Sequence, residues 1–132
     1  MKLYSRTKYD SKAQRESTIC PFCEENLDTQ YLVWTWTFLK IIHNKYPFCG
    51  KQDHFLVIPK RHITLTSQMT GEEFEELKEV EKWMKDTYET KSFFSFIREQ
   101  SPEKSVAHLH YHFCSWDISS EVLEEILKRS NS

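Results

Sequence analysis

Three histidines at alternate positions, in the run His108-Leu109-His110-Tyr111-His112, are the residues of this chain best suited to chemistry. Side chains alternate across a strand, so in extended backbone His108, His110 and His112 share one face, while Ala107, Leu109, Tyr111 and Phe113 share the other. Two chemistries use such a row. Alternate imidazoles chelate a metal whose bound water attacks a substrate, or the central imidazole is itself a nucleophile toward phosphorus, its tautomer set by an acceptor on the other ring nitrogen. The spacing does not choose between them. A second motif, Cys20-Pro21-Phe22-Cys23, has the Cys-x-x-Cys spacing that in a reducing compartment points to metal or redox chemistry. Cys49 and Cys114 stand apart, without the rhythm of a disulfide framework.

These residues need a scaffold. Tyr31 to Ile42 is rich in aromatic and β-branched residues and is too long for one ordinary strand, so a hairpin or bend is expected within it. Pro47 and Gly50 mark a loop over Asn44 to Asp53, and His54-Phe55-Leu56-Val57-Ile58 reads as a strand stopped by Pro59. Thr70-Gly71-Glu72-Glu73 has the form of a capping box, and Phe74, Leu77, Val80, Met84 and Tyr88 follow at helical spacing. Strands are predicted over Ser92 to Arg98 and Val106 to Cys114, and a last helix from Ser119 or Ser120 with Val122, Leu123, Ile126 and Leu127 on its apolar face. The order implies an α+β fold with a mainly antiparallel sheet.

With 132 residues, the chain fits one domain. Residues 1–18 read as a polar, basic tail and 19–132 as the domain. Hydrophobic residues at 39% and a net charge of -2 describe a globular protein, without the basic excess of a dedicated nucleic-acid binder. No long uncharged apolar stretch or signal pattern is present, so a soluble, intracellular protein with no membrane partner is expected.

Taken together, two blocks resemble the histidine triad (HIT) superfamily. Ser105-Val106-Ala107-His108-Leu109-His110-Tyr111-His112-Phe113 is similar to the family signature of three histidines separated by hydrophobic residues. Asn44-Lys45-Tyr46-Pro47 followed by His54 through Pro59-Lys60-Arg61-His62-Ile63 looks like its second block, in the family's order. The resemblance covers roughly residues 19 to 115. It implies a HIT-like fold and a nucleotide hydrolase or transferase in which His110 attacks the α-phosphorus of a purine nucleotide or dinucleotide. A covalent nucleotidyl-histidine would form and be resolved by water or another acceptor. His112 and Ser105 would serve the developing negative charge.

By the same resemblance, Asn44 would contact ribose, Ile42 would cover the base, and His54 would lie near the site. Pro102-Glu103-Lys104 replaces the small residues usual before the serine, so Arg98 or Lys104 would supply phosphate-binding charge. A zinc-bearing branch implies Cys20, Cys23, His62 and His108 as ligands of one closed, structural zinc. The resemblance also implies a homodimer, and the missing signal and membrane patterns lead us to expect a cytoplasmic location. The competing expectations are a zinc hydrolase with the strand histidines as ligands and a non-catalytic nucleotide-binding or interaction protein.

Overall fold

A computed structural model describes residues 19–50, 52–99 and 106–129. The basic tail expected over residues 1–18, Lys104 and Ser105 lie outside the described residues. Five strands form one antiparallel sheet: β1 (Leu32–Thr35), β2 (Leu39–His43), β3 (His54–Pro59), β4 (Phe93–Phe96) and β5 (Tyr111–Ser115), in the spatial order β1-β2-β3-β5-β4. Two helices complete it, α1 (Gly71–Tyr88) and α2 (Ser120–Arg129). This is the predicted α+β architecture.

The bend expected within Tyr31 to Ile42 falls between β1 and β2, where Trp36 N donates to Leu39 O at 2.8 Å. Helix α1 reaches over to hold this turn. One carboxylate oxygen of Glu76 accepts from both Phe38 N and Leu39 N at 2.7 Å. The capping box is formed as predicted: Glu73 N donates to Thr70 Oγ1 at 3.1 Å, and Thr70 N donates to Glu73 Oε1 at 2.8 Å. The same carboxylate receives Arg61 Nη2 at 2.7 Å, and this guanidinium holds the Glu73 carboxyl below its usual range. The helix ends at Glu89, whose φ of 56° with ψ of -112° is a conformation that side chains resist.

The two sheet faces are filled differently. Leu39, Ile41, Phe55, Val57 and Phe113 pack on Val80, Met84 and Tyr88 of α1. Full burial of such side chains contributes about 1.5–3 kcal/mol each, more than helix propensity supplies. Phe74, expected on this stripe, is instead 43% exposed in the first turn of the helix. The opposite face carries Ile42, Leu56 and Ile58 under Phe22, Leu27 and Tyr31 at one end. At its other end Phe48, Cys49 and Cys114 lie under Val122 and Ile126 of α2. Leu123 and Leu127 remain exposed, so the buried stripe of α2 is narrower than the sequence suggested.

The predicted strand over Val106 to Cys114 requires correction. Strand β5 begins only at Tyr111, and Ala107 is exposed while His108 and Leu109 are both fully buried. Strict alternation therefore fails over the first half of the histidine run. The cause is a different set of backbone partners: Leu109 N donates to Ile63 O at 2.7 Å, across the loop that follows β3. The other predicted strand, Ser92 to Arg98, is realised only over β4.

Candidate active site

The register between β3 and β5 pairs Leu56 with His112 and His54 with Cys114, which puts His54 and His112 on the same face. His54 is fully buried, and its Nε2 lies 2.9 Å from His112 Nδ1. Protons on these rings follow from their partners. Phe48 N–H donates to His54 Nδ1 at 2.9 Å, so that nitrogen carries a lone pair and the neutral ring holds its proton on Nε2. His54 Nε2–H then donates to His112 Nδ1, which leaves the His112 proton on Nε2. Asn44 Nδ2 lies 3.4 and 3.1 Å from the two His54 nitrogens, close to both and centred on neither. Its amide is oriented by Tyr46 N, which donates to Asn44 Oδ1 at 2.9 Å. Burial, assisted by nearby His110, pushes the His54 pKa down to about 3, so the ring is neutral throughout the physiological range.

His110 has the opposite tautomer. Its Nδ1 lies 2.8 Å from His108 O, and a carbonyl only accepts, so Nδ1 carries the proton and the neutral ring's lone pair lies on Nε2. The ring is half-buried, 5.1 Å from the His112 ring and in edge contact with Phe22 at 5.1 Å. His112 is stacked on Phe96 at 4.4 Å and 3°.

The third histidine departs from the other two. His108 Nε2 donates to Pro59 O at 2.7 Å, which aims its Nδ1 lone pair at Cys20 Sγ, 3.4 Å away, and Cys23 Sγ, 3.7 Å away. His62 Nδ1 is 3.3 Å from Cys23 Sγ, and the four ligand atoms lie within 4.8 Å of one another. Zinc bonds of about 2.3 Å to sulfur and about 2.0 Å to nitrogen require sulfur–nitrogen edges of about 3.5 Å in a tetrahedron. The observed spacings, the two-sulfur, two-nitrogen donor set and the carbonyl behind His108 all fit such a centre. Burial, with Cys20 alongside, pushes the Cys23 thiol up to about 11, so its ionisation calls for a cation. Lys40, 1% exposed on β2, donates its Nζ to Phe22 O at 2.8 Å and pins the loop between the cysteines.

The structure thus brings together His54, His110 and His112, with Asn44 beside His54 and Ile42 on the same sheet face. It brings the four predicted metal ligands into one separate group. Among the described residues the other such group is Cys49, His54 and Cys114, and neither contains His110 or His112. Arg98 directs Nη2 to Ile126 O at 2.8 Å, at the last turns of α2. Sequence reasoning missed Phe48, whose backbone fixes the His54 tautomer, and Lys40, which reads as part of an apolar strand. It also gave no part to Phe22; only its place between two cysteines hinted at one.

A family model described as "Scavenger mRNA decapping enzyme C-term binding", a HIT-like domain, matches residues 20–128. The chain belongs to this HIT family. No curated protein matches it. Among solved structures, a histidine triad protein from Clostridium difficile is similar with a TM-score of 0.61 and 19% identity, over 79% of this chain and 96% of that one. Plasmodium falciparum diadenosine triphosphate hydrolase is similar with a TM-score of 0.62 and 18% identity, over 94% and 93%. A hypothetical histidine triad nucleotide-binding protein from Sulfolobus tokodaii gives 0.56 and 24%, over 84% and 89%. At these identities the structural likeness concerns the fold, and the HIT fold expected from the two sequence blocks is the one observed. Among the described residues, no helix of this HIT protein is long and apolar enough to cross a membrane.

Proposed function

We propose that this HIT protein is a nucleotide hydrolase that acts at the α-phosphorus of a nucleoside phosphoramidate or dinucleoside polyphosphate, with His110 as nucleophile. What supports this reading is the pair of opposite tautomers that the hydrogen-bond partners imply, a lone pair on His110 Nε2 beside a proton on His112 Nε2. In the first step His110 Nε2 bonds to phosphorus as the bond to the leaving group breaks; His112 Nε2–H donates a hydrogen bond to that group, which takes its proton from solvent. The His110 ring becomes cationic, and its Nδ1–H bond to His108 O strengthens. Water then attacks phosphorus as the bond to His110 Nε2 breaks, a proton passes to solvent, and the His110 ring is released neutral. The hydrogen bonds from Phe48 through His54 would keep His112 in the same tautomer throughout the cycle.

Around this centre Ile42 and Asn44 are proposed to receive base and ribose, and Ser105 to donate to phosphate oxygens. Arg98 would join them on leaving Ile126 O. Cys20, Cys23, His62 and His108 would hold zinc, which when bound supplies a rigid anchor for the loop and for the backbone leading to His110. The diadenosine triphosphate hydrolase of similar fold supports the dinucleotide substrate class. A homodimer in the cytoplasm completes the reading.

The test is to incubate the protein with α-labelled adenosine nucleotides and trap acid-labile label. An adduct on His110, absent in His110→Ala, is expected. Failure to find either adduct or turnover with both substrate classes rejects the proposal.

A further inference from the structure

Cys49 and Cys114 lie far apart in sequence yet meet beneath the histidine centre. Cys114 is fully buried and Cys49 is 3% exposed, and their sulfurs lie within 4.8 Å of each other and of a His54 ring nitrogen. A soft metal is one reading of two sulfurs and an imidazole. It fails because both His54 nitrogens are already engaged, Nδ1 by Phe48 N–H and Nε2 by His112. What remains is a pair of thiols in mutual contact.

The two sulfurs differ. Hydrogen bonds from the Cys114 thiol and from Ser115 pull the Cys49 pKa down. The neighbouring Cys49 sulfur and burial push the Cys114 thiol up. A thiol whose ionisation is favoured, beside one whose ionisation is opposed, is the arrangement of an attacking and a resolving cysteine.

We propose that Cys49 and Cys114 form a reversible oxidation site whose disulfide switches off the histidine centre. The oxidant is a peroxide. The Cys49 thiolate attacks one peroxide oxygen, the O–O bond breaks, and the departing oxygen leaves as water after taking a proton, giving a sulfenic acid. The Cys114 sulfur then attacks Cys49, the S–S bond forms, the S–O bond breaks, and a second water carries off the Cys114 proton. Two electrons pass from the sulfurs to the peroxide.

The consequence for the site follows from which end must move. A disulfide draws the sulfurs to about 2.05 Å. Cys114 is held in β5 between two paired strands, β3 and β4, whereas Cys49 lies in the loop after β2. Cys49 therefore moves, and it carries its neighbour Phe48. The Phe48 amide fixes the His54 tautomer and the Phe48 ring packs on both His54 and His112, at 4.8 and 5.7 Å. Displacing it releases the order of protons on which the proposed hydrolysis rests. Because both thiols are buried, the reaction is slower than at an exposed thiol.

To test this, the zinc-loaded full chain is treated with hydrogen peroxide, quenched, alkylated under denaturing conditions and digested without reductant. Mass spectrometry is expected to find a Cys49–Cys114 cross-linked peptide pair short of two hydrogens. Hydrolysis should fall by about tenfold, the scale of one lost hydrogen bond, and return with dithiothreitol. Cys49→Ser, with Cys49→Ala as a second variant and circular dichroism as the check of folding, should keep its turnover in peroxide. Alkylation of both thiols, or a cross-link that leaves turnover unchanged, overturns the proposal. So does inhibition that tracks zinc release and persists in Cys49→Ser. The cross-link and a shift of the His54 and His112 ring resonances need no turnover, so a failure of the hydrolase reading is distinguished from a failure of this one.

Discussion

Replacing His54 by glutamine separates what this ring does by hydrogen bonding from what it does by titrating. Glutamine offers an oxygen to accept from Phe48 N–H and an amide to donate to His112, yet it cannot take up a proton. In the native protein burial holds His54 at a pKa of about 3, against about 6.5 in the unfolded chain. A base with a depressed folded pKa binds more protons when unfolded. Its neutral burial therefore counts fully above pH 6.5 and is lost progressively as the pH falls toward 3. Between pH 7.5 and 5.0 the unfolded chain gains nearly one proton that the native protein refuses, a loss of about 2 kcal/mol from this residue alone. The assay is urea unfolding at both pH values for wild type and His54→Gln, so that acid effects on the cysteine cluster cancel. The wild type should lose about 2 kcal/mol more than the variant. At neutral pH, His54→Gln should retain most turnover, while His54→Ala should lose about tenfold or more, because His112 Nδ1 then lacks its donor. Parallel pH dependence in wild type and His54→Gln, or undiminished turnover in His54→Ala, would refute the reasoning.

Other perturbations probe the scaffold. Removal of zinc by a chelator, or Cys23→Ser, should cost at least about 3 kcal/mol in unfolding free energy and lower the melting temperature, as expected of a closed structural site. Unchanged melting with lost activity would mark the metal as catalytic instead. Phe22→Ala removes the edge contact with His110 while sparing the ligands; kcat should fall about threefold to tenfold with zinc content and KM near wild type. Glu89→Gly relieves the strained turn after α1 and should raise stability by about 1 kcal/mol, read as a shift in urea midpoint.

Much of the fold was legible because its signals are local. The Thr70 to Glu73 box, the Val80, Met84 and Tyr88 stripe and the Pro59 stop each depend on neighbours a few residues away. The extent of the histidine strand was not legible, because it is decided by Ile63 O, which captures the Leu109 amide from a distant loop. Lys40 was hidden for the same reason: its partner, the Phe22 carbonyl, lies 18 residues away. The four metal ligands came from the resemblance, and their grouping depends on β3 and the histidine run lying side by side. The proton order through Phe48, His54 and His112 is set by a backbone amide, and side-chain motifs carry no trace of it.

His108 faces two neighbourhoods at once. Its imidazole is committed to Cys20 and Cys23, while its main-chain oxygen decides which nitrogen of the next histidine bears hydrogen. A single residue thereby joins the cysteine–histidine cluster to the His110 ring, with no intervening side chains to absorb a displacement. Damage to any one of these four sulfur or imidazole groups would thus reach the His110 ring, the nucleophile of the proposed mechanism, as a rotation of that oxygen. An assay of the proposed hydrolysis is also a gauge of how well the cysteine–histidine cluster is assembled.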